Sequence, residues 1–295
     1  MPAMIEHAAA YAKVNLSLDI ISKRDDGYHD LVTVMQSIDL CDDISVECLP
    51  GEGLTIQTNL PYLPNDERNI AAKAALAFFK YTNINGYRTH INIVKRIPVS
   101  AGLGGGSADA ACILRVLDNI FGTELGVKTL ETIGESIGSD VPFCIAGGTV
   151  LARGKGEVMT DLPPIPQSHV LVCKPSFSCS TPELFALVKC EKIRARPDTD
   201  GIIDALEKGN LRGIAQRMYN VFEDILPRGA REIDEIKSKM LDNGALGAVM
   251  TGSGPTVFGI FDEENMLKKA HEALITNYNN CFKAETIGRQ VKKEM

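Results

Sequence analysis

The sequence predicts an α+β protein of two domains, and three observations predict it. Its 295 residues exceed the ordinary size of one domain. A strand-rich first half breaks at a proline-rich stretch, residues 162–167, which places the domains at 1–164 and 165–295. Beyond the break the elements run β-α-β-β-α-β, the split or ferredoxin-like pattern, once a helical insertion at 183–222 is set aside.

Residues 5–21 are rich in apolar and β-branched side chains with no helix stop, which predicts a strand. Strands at 31–40 and 43–48 follow, set apart by polar breaks at 24–27 and 42–43. Asn69 precedes an alanine-rich run to 81, an N-cap and its helix. At 89–95, Ile91 and Ile93 alternate with His90 and Asn92, a half-buried strand. Residues 108–121 are apolar on most sides, with Arg115, Asp118 and Asn119 as a narrow polar edge, so this helix should be buried. A helix at 129–137 closes at Gly138, and 141–150 reads as glycine-punctuated strand. In the second half, 170–173 is a strand. Ile233, Ile236, Met240 and Leu241 form one face of a helix that Asn243-Gly244 ends. Strands at 246–250 and 256–261 flank a Gly-Ser-Gly turn. Met266, Leu267, Ala270, Ala273 and Leu274 mark a further helix, and 282–287 a last strand.

Composition narrows the function classes. Hydrophobic content of 44% against 23% charged supplies an ordinary globular core. A net charge of −7 argues against a nucleic-acid partner, which needs a basic stripe; a few lysines and backbone N–H groups can still hold an anionic small molecule. The eight cysteines are irregularly spaced with no C-x-x-C pair, as expected of free, mostly buried thiols. No basic segment with a long apolar stretch opens the chain, and no run approaches the ~20 apolar residues of a membrane helix. The expectation is a reduced, soluble, cytoplasmic protein with no membrane partner. No H-x-x-x-H or acidic cluster has metal-ligand spacing, and the oligomeric state is not legible.

The most informative segment is Pro98-Val99-Ser100-Ala101-Gly102-Leu103-Gly104-Gly105-Gly106-Ser107-Ala108, between a strand and a helix. Its four glycines permit backbone angles other residues resist and remove side chains that would block a ligand. With the helix beginning near Ser107, its unpaired N–H groups and positive dipole end face the loop, a combination that binds phosphate. Ser107 is expected to cap the helix or to turn its hydroxyl to a phosphate or Mg²⁺. Asp109 falls in the first turn, where a carboxylate suits the dipole. A Walker A loop requires a lysine beside the serine, and a dinucleotide fingerprint a glycine where Ser107 stands; both fail. A tight turn without a ligand is the other reading, and four glycines exceed what it needs.

From Pro98 to Ala108 the chain resembles, without a gap, the second motif of the GHMP kinase superfamily, P-x-x-x-G-L-G-S/G-S/G-S-A. Three further blocks resemble one branch of it, the 4-diphosphocytidyl-2-C-methyl-D-erythritol kinases. These are Ala12-Lys13-Val14-Asn15-Leu16 with Arg24-Asp25-Asp26-Gly27-Tyr28-His29, then Gly138-Ser139-Asp140-Val141-Pro142-Phe143, then Thr251-Gly252-Ser253-Gly254-Pro255-Thr256. Their order and spacing cover essentially the whole chain, and D-G-Y-H is the most discriminating block. The resemblance implies the two-domain GHMP kinase fold: an ATP-binding N-terminal α/β domain of the ribosomal-protein-S5-domain-2-like kind and a ferredoxin-like C-terminal domain. It also implies transfer of the ATP γ-phosphoryl group to the 2-hydroxyl of the methylerythritol moiety, in the non-mevalonate isoprenoid pathway, with Mg²⁺ arriving on the nucleotide.

The resemblance assigns roles residue by residue. Asp140 would deprotonate the substrate hydroxyl while Lys13 keeps it ionised and orients the hydroxyl; by position alone the two could be a structural salt bridge. Tyr28 would stack on cytosine and His29 read its edge, consistent with a flat aromatic face and a polar imidazole. Phe185, in Thr181-Pro-Glu-Leu-Phe, matches the second stacking aromatic, with core packing as the alternative. Asn15 would contact the substrate or support Lys13, or is a buried structural asparagine. Asn69 and Lys95 would lie near the ribose or adenine, or serve as a helix cap and a strand-end charge. The loop of Thr251, Gly252 and Ser253 would close on the substrate diphosphate or steady the glycine loop, unless it is a plain hairpin turn. Met35 departs from members that carry an aromatic near the cytidine pocket: it fills the volume but cannot stack in the same way. Two rival readings remain: a GHMP kinase for a smaller alcohol, which D-G-Y-H opposes, and a catalytically inactive GHMP-fold binding protein, which Lys13 and Asp140 together oppose.

Overall fold

The protein is described here by a computed structural model covering residues 3–226 and 231–290. Its first half is built on one long antiparallel pair, β1 (Met4–Lys23) and β2 (His29–Pro50), joined by the turn at 24–28. β3 (Leu54–Thr58), α1 (Ile70–Thr82), β4 (Tyr87–Val94), α2 (Gly105–Phe121), α3 (Gly126–Glu135), α4 (Val141–Ala146), β5 (Thr149–Gly154) and β6 (Val158–Asp161) follow in chain order. The sheet runs β3-β4-β2-β1, and β2 divides its free edge, pairing β4 through 43–50 and β5 through 31–36. Two helices pack on it through α1–α2 contact, and α2 buries nine of its residues, Ala108 to Leu114 with Val116 and Leu117. The all-round apolar pattern of that segment is thereby explained.

The polar break expected at 42–43 is not a break. Asp42 is fully buried in mid-strand and its Oδ1 accepts the backbone N–H groups of Arg96 (2.5 Å) and Ile97 (2.8 Å). A carboxylate with internal donors does not need a turn to reach water, so the strand continues. The segment 141–150 also differs from expectation: 141–146 is the short helix α4, started by Pro142 in its first turn, and only Thr149 onward is strand. Six buried apolar residues in a row carry no period by which helix and strand could be told apart. β3 and β6 were not anticipated either.

The second half contains β7 (His169–Lys174), α5 (Thr181–Leu187), α6 (Thr199–Glu207), α7 (Leu211–Ala215), β8 (Tyr219–Asn220), α8 (Arg231–Asp242), β9 (Gly247–Met250), β10 (Val257–Phe261), α9 (Glu264–Ile275) and β11 (Asn280–Glu285). Its sheet order, β11-β7-β10-β9 with every neighbour antiparallel, is the ferredoxin-like arrangement the sequence predicted. Leu241 is exposed and lies off the apolar face of α8 formed by Ile233, Ile236 and Met240. Backbone pairing and an ion pair tie the insertion to the first half. β8 pairs parallel to β1, and the Arg196 guanidinium donates to Asp19 Oδ1 (2.6 Å) and the Ile20 carbonyl (2.7 Å). After β11 the chain returns to the first half, where Ile287 N–H donates to Ser37 O (3.0 Å) and Gln290 N–H to Ala146 O (3.1 Å). All eight cysteines are free, and no helix among the described residues is long and apolar enough to cross a membrane.

Candidate active site

A cleft of about 1650 Å³ runs between the halves, lined by β1, β2, the glycine loop, the start of α1, the turn before α4, α5 and the 252–254 loop. A pocket for one drug-sized ligand occupies roughly 300–1,000 Å³, so this cleft has room for two substrates.

Helix α2 begins at Gly105, two residues before the expected start, and its N-cap is Gly104 in the left-handed region (φ 69°). Ser107 therefore does not cap. It stands in the first turn, lines the cleft, and its hydroxyl has no protein partner among the described residues. A free hydroxyl at a helix mouth fits a phosphate oxygen or the Mg²⁺ a nucleotide carries; no group of three or more His, Cys, Asp or Glu among the described residues is arranged to hold a metal by itself. Pro98, Val99, Ser100, Ala101, Leu103, Gly105 and Gly106 line the same end, whereas Ala108 is turned into the core and does not. A Cβ on Gly104 would stand 3.0 Å from Lys13 Cγ, and one on Gly102 only 2.2 Å from the Thr251 carbonyl oxygen. At both positions a positive φ and a close neighbour favour glycine: the Lys13 side chain at one, the backbone of the other domain at the other.

Lys13 and Asp140 meet. Lys13 Nζ lies 3.4 Å from Asp140 Oδ2, with the lysine side chain 5% exposed and the aspartate 36%. Lys13 Nζ also donates to Asn15 Oδ1 (2.8 Å), and Lys13 N–H donates to Leu103 O (3.0 Å), which fixes β1 to the glycine loop. The β1–β2 register slips between Tyr11 and Lys13 and again between Asn15 and Ser17. Such bulges re-aim side chains, here on both sides of the lysine. Asn15 is buried, accepts the Lys13 ammonium and donates its amide to Thr33 Oγ1 (2.8 Å), while still lining the cleft.

At the other end of the cleft Tyr28 is 62% exposed, held by its N–H to Asp26 Oδ1 (3.0 Å). His29 is buried with its ring stacked on Phe185 at 5.1 Å, and Phe185 stands edge-on to Phe222 at 4.9 Å. Burial, with Lys23 nearby, keeps the His29 pKa below its usual value, so the imidazole is neutral at pH 7 and can both donate and accept. Met35 is buried opposite Asn15 and forms part of the wall.

Several expected contacts are internal instead. Lys95 turns its ammonium inward, to Asp109 Oδ2 (2.6 Å) and to Asp42 Oδ2, so its charge is not free for a ribose or adenine. Burial opposes that charge, but Asp109 and Asp42 outweigh it and hold the lysine pKa above the usual range. Asp109 points at Lys95 rather than along the helix dipole; burial, reinforced by Asp42, outweighs Lys95 and pushes its carboxyl up to about 8. Asn69 caps α1 through Ala71 N–H (3.0 Å) and donates to Pro64 O (2.9 Å). It still lines the cleft, but with both ends of its amide engaged. Thr251 is fully buried and does not line the cleft, whereas Gly252 and Ser253 do. Ser253 Oγ shares a 2.6 Å hydrogen bond with Thr181 Oγ1.

Lys155 is a cleft residue that the sequence motifs do not single out. It projects from the β5–β6 turn over the Tyr28 ring, 5.1 Å from its centroid, and lines the cleft there. A lysine between two glycines, Gly154-Lys155-Gly156, was the available signal.

Known proteins share this architecture. The description "GHMP kinases N terminal domain" fits residues 69–148, and "GHMP kinases C terminal" fits 202–280. The 4-diphosphocytidyl-2-C-methyl-D-erythritol kinase of Clostridium botulinum (strain Alaska E43) is 44% identical over 278 residues, 94% of this chain and 99% of that one. The enzyme of the same name from Caldicellulosiruptor saccharolyticus is 43% identical, over 90% and 91% of the two chains. A crystal structure of 4-(cytidine 5'-diphospho)-2C-methyl-D-erythritol kinase, 31% identical, superposes with a TM-score of 0.82 over 96% of this chain and 100% of that one. L. major mevalonate kinase, 18% identical with a TM-score of 0.75 over 97% of each chain, shares the fold alone. This chain belongs to the GHMP kinases and, within them, to the 4-diphosphocytidyl-2-C-methyl-D-erythritol kinase family.

Proposed function

We propose that the protein transfers the γ-phosphoryl group of ATP to the 2-hydroxyl of 4-diphosphocytidyl-2-C-methyl-D-erythritol, within the non-mevalonate isoprenoid pathway. The contact of Lys13 with Asp140, beside the open mouth of α2, is the observation that carries the reading.

The nucleotide's phosphates lie along 101–107, against backbone N–H groups that no helical carbonyl can satisfy. The cytidine enters between Tyr28 and Phe185, with neutral His29 at its polar edge, and Lys155 beside the diphosphate. Asp140 accepts the proton of the 2-hydroxyl as its oxygen bonds to the γ-phosphorus, and the bond to the β–γ bridging oxygen breaks to release ADP. Lys13 neutralises charge on the carboxylate and the incoming oxygen. Asn15 sets the lysine's direction. Mg²⁺ would travel with ATP, with the Ser107 hydroxyl as the chain's own available ligand. Most of the acceleration then comes from alignment and charge stabilisation, as is usual in phosphoryl transfer.

The same reading divides the chain at 164/165, with a cytoplasmic setting and two small-molecule substrates as its only required partners. ADP release with the cytidyl substrate tests it, comparing wild type with Asp140→Asn. Turnover by wild type and its collapse in the variant support the reading. Activity with mevalonate but none with the cytidyl substrate rejects it.

A further inference from the structure

We propose that Asn220, in the insertion, is a positioning residue that clamps the 250–252 backbone so that one loop of the C-terminal domain supports both the phosphate loop and Lys13. Asn220 is fully buried, and every polar group of its side chain is used. Nδ2 donates to Met250 O and to Gly252 O, both at 2.8 Å, one carbonyl on each side of Thr251. Oδ1 accepts Phe222 N–H at 3.0 Å. Backbone pairing of Leu18 with Asn220 fastens this residue to the strand that carries Lys13.

Thr251 then acts in two directions. Its Oγ1 accepts Asn15 N–H (3.0 Å), and its hydrogen is within reach of Asn15 Oδ1 (3.2 Å) and Gly102 O (3.3 Å). Asn15 Oδ1 in turn receives the Lys13 ammonium. The two loops touch through bare backbone, since a Cβ on Gly252 would come within 2.9 Å of Gly102 O. A continuous path therefore runs from Asn220 through the 250–252 backbone to Gly102 on one side and to Lys13 on the other. Toward the cytidine end Asn220 acts through the Oδ1 bond to Phe222, whose ring abuts Phe185, and the clamped loop continues to Ser253, which bonds Thr181 at the start of α5.

This inference rests on the assignment of Lys13 and the glycine loop above. Asn220→Asp separates the two functions, because it keeps the acceptor for Phe222 and replaces the two-way donor with an oxygen facing two carbonyls. The expected result is a fall in kcat/KM for ATP of about a hundredfold, as for a sub-ångström to 1 Å misplacement of reacting groups. KM for the cytidyl substrate should stay within about twofold, as no base contact is lost. A lower Tm with wild-type kinetics would overturn the proposal, since that is what a purely structural asparagine would give. Should Asn220→Asp not accumulate as folded protein, Thr251→Val interrupts the same path; a wild-type kcat/KM for ATP in that variant overturns the clamp. Binding of a fluorescent N-methylanthraniloyl ADP provides a readout independent of the acceptor. If wild type failed to phosphorylate the cytidyl compound, the functional reading would fail, yet weakened binding of this probe by Asn220→Asp would still support the clamp, and unchanged binding would refute it.

Discussion

Lys13 has two oxygen partners of unequal access: the buried Asn15 amide oxygen at 2.8 Å and the Asp140 carboxylate at 3.4 Å, which is open to the cleft. The nearer partner sets direction and the looser one is left able to face a substrate hydroxyl. Asp140→Asn keeps the shape and removes the proposed base, so kcat should fall by ~10²–10⁴-fold with little change in either KM, measured by steady-state ADP release. Asp109 makes a separate prediction. With its carboxyl raised to about 8, the folded protein holds a proton there that the unfolded chain releases near the ordinary aspartate value of about 4. Between those limits the native state binds more protons, so this group's contribution to stability falls as pH rises through the interval. Urea unfolding at pH 5 and pH 9 should show wild type losing ground to Asp109→Asn as pH increases. A stability difference that does not change with pH would remove Asp109 as a titrating group. Both residues stood in recognisable positions in the sequence; what the sequence lacked was Asp42, 67 positions away from Asp109, without which Lys95 looked free to bind a nucleotide.

The decisive element is the glycine loop with the first turn of α2. Its function needs free N–H groups at a helix mouth and two close backbone approaches, and the glycines serve different parts of that need. Gly102 has φ +77° and no space for a Cβ, whereas Gly122, which ends α2, has φ +57° and nothing within 4 Å of a built Cβ. Alanine at Gly122 should cost only the left-handed backbone penalty of ~1–2 kcal/mol and leave kinetics intact. Alanine at Gly102 adds the collision with the Thr251 carbonyl, so Tm should fall further and KM for ATP should rise by about tenfold or more. Equal Tm losses and equal kinetics in the two variants would contradict the close-approach argument. The loop, its glycines and the helix behind it were legible because glycine spacing and apolar patterning are local properties. The strand break at 42–43 and the strand at 141–146 were misread because a buried carboxylate and a short all-apolar helix gain their stability from partners far along the chain.

Across the whole molecule, the cleft joins two hydrophobic cores, and each substrate is expected to touch both halves: ATP through the glycine loop backed by 251–254, the cytidyl group through Tyr28 on one side and Phe185 on the other. A ligand that binds only the folded protein stabilises it by about 2.7 kcal/mol at a hundred times its dissociation constant. Cytidine 5'-diphosphate should therefore raise the Tm of wild type in a thermal-shift titration, and Phe185→Ala should move the titration to higher ligand concentration by roughly tenfold or more, the scale of one base–aromatic stacking contact. An unchanged titration in the variant would place the base elsewhere.

The amino-acid order alone determined the family, the β-α-β-β-α-β half and the glycine loop before α2, because motif spacing and hydrophobic period are written within short windows of chain. Only the tertiary structure decided which polar side chains keep a group free toward the cleft and which spend theirs on one another. Lys95, Asn15, Asn69 and Thr251 each spend their hydrogen bonds inside the protein, while Lys155 and Ser107 are left open to a ligand. The reason is physical: a buried polar group must find its partner wherever the fold brings one, and that partner can be more than two hundred residues away, as Thr251 is from Asn15.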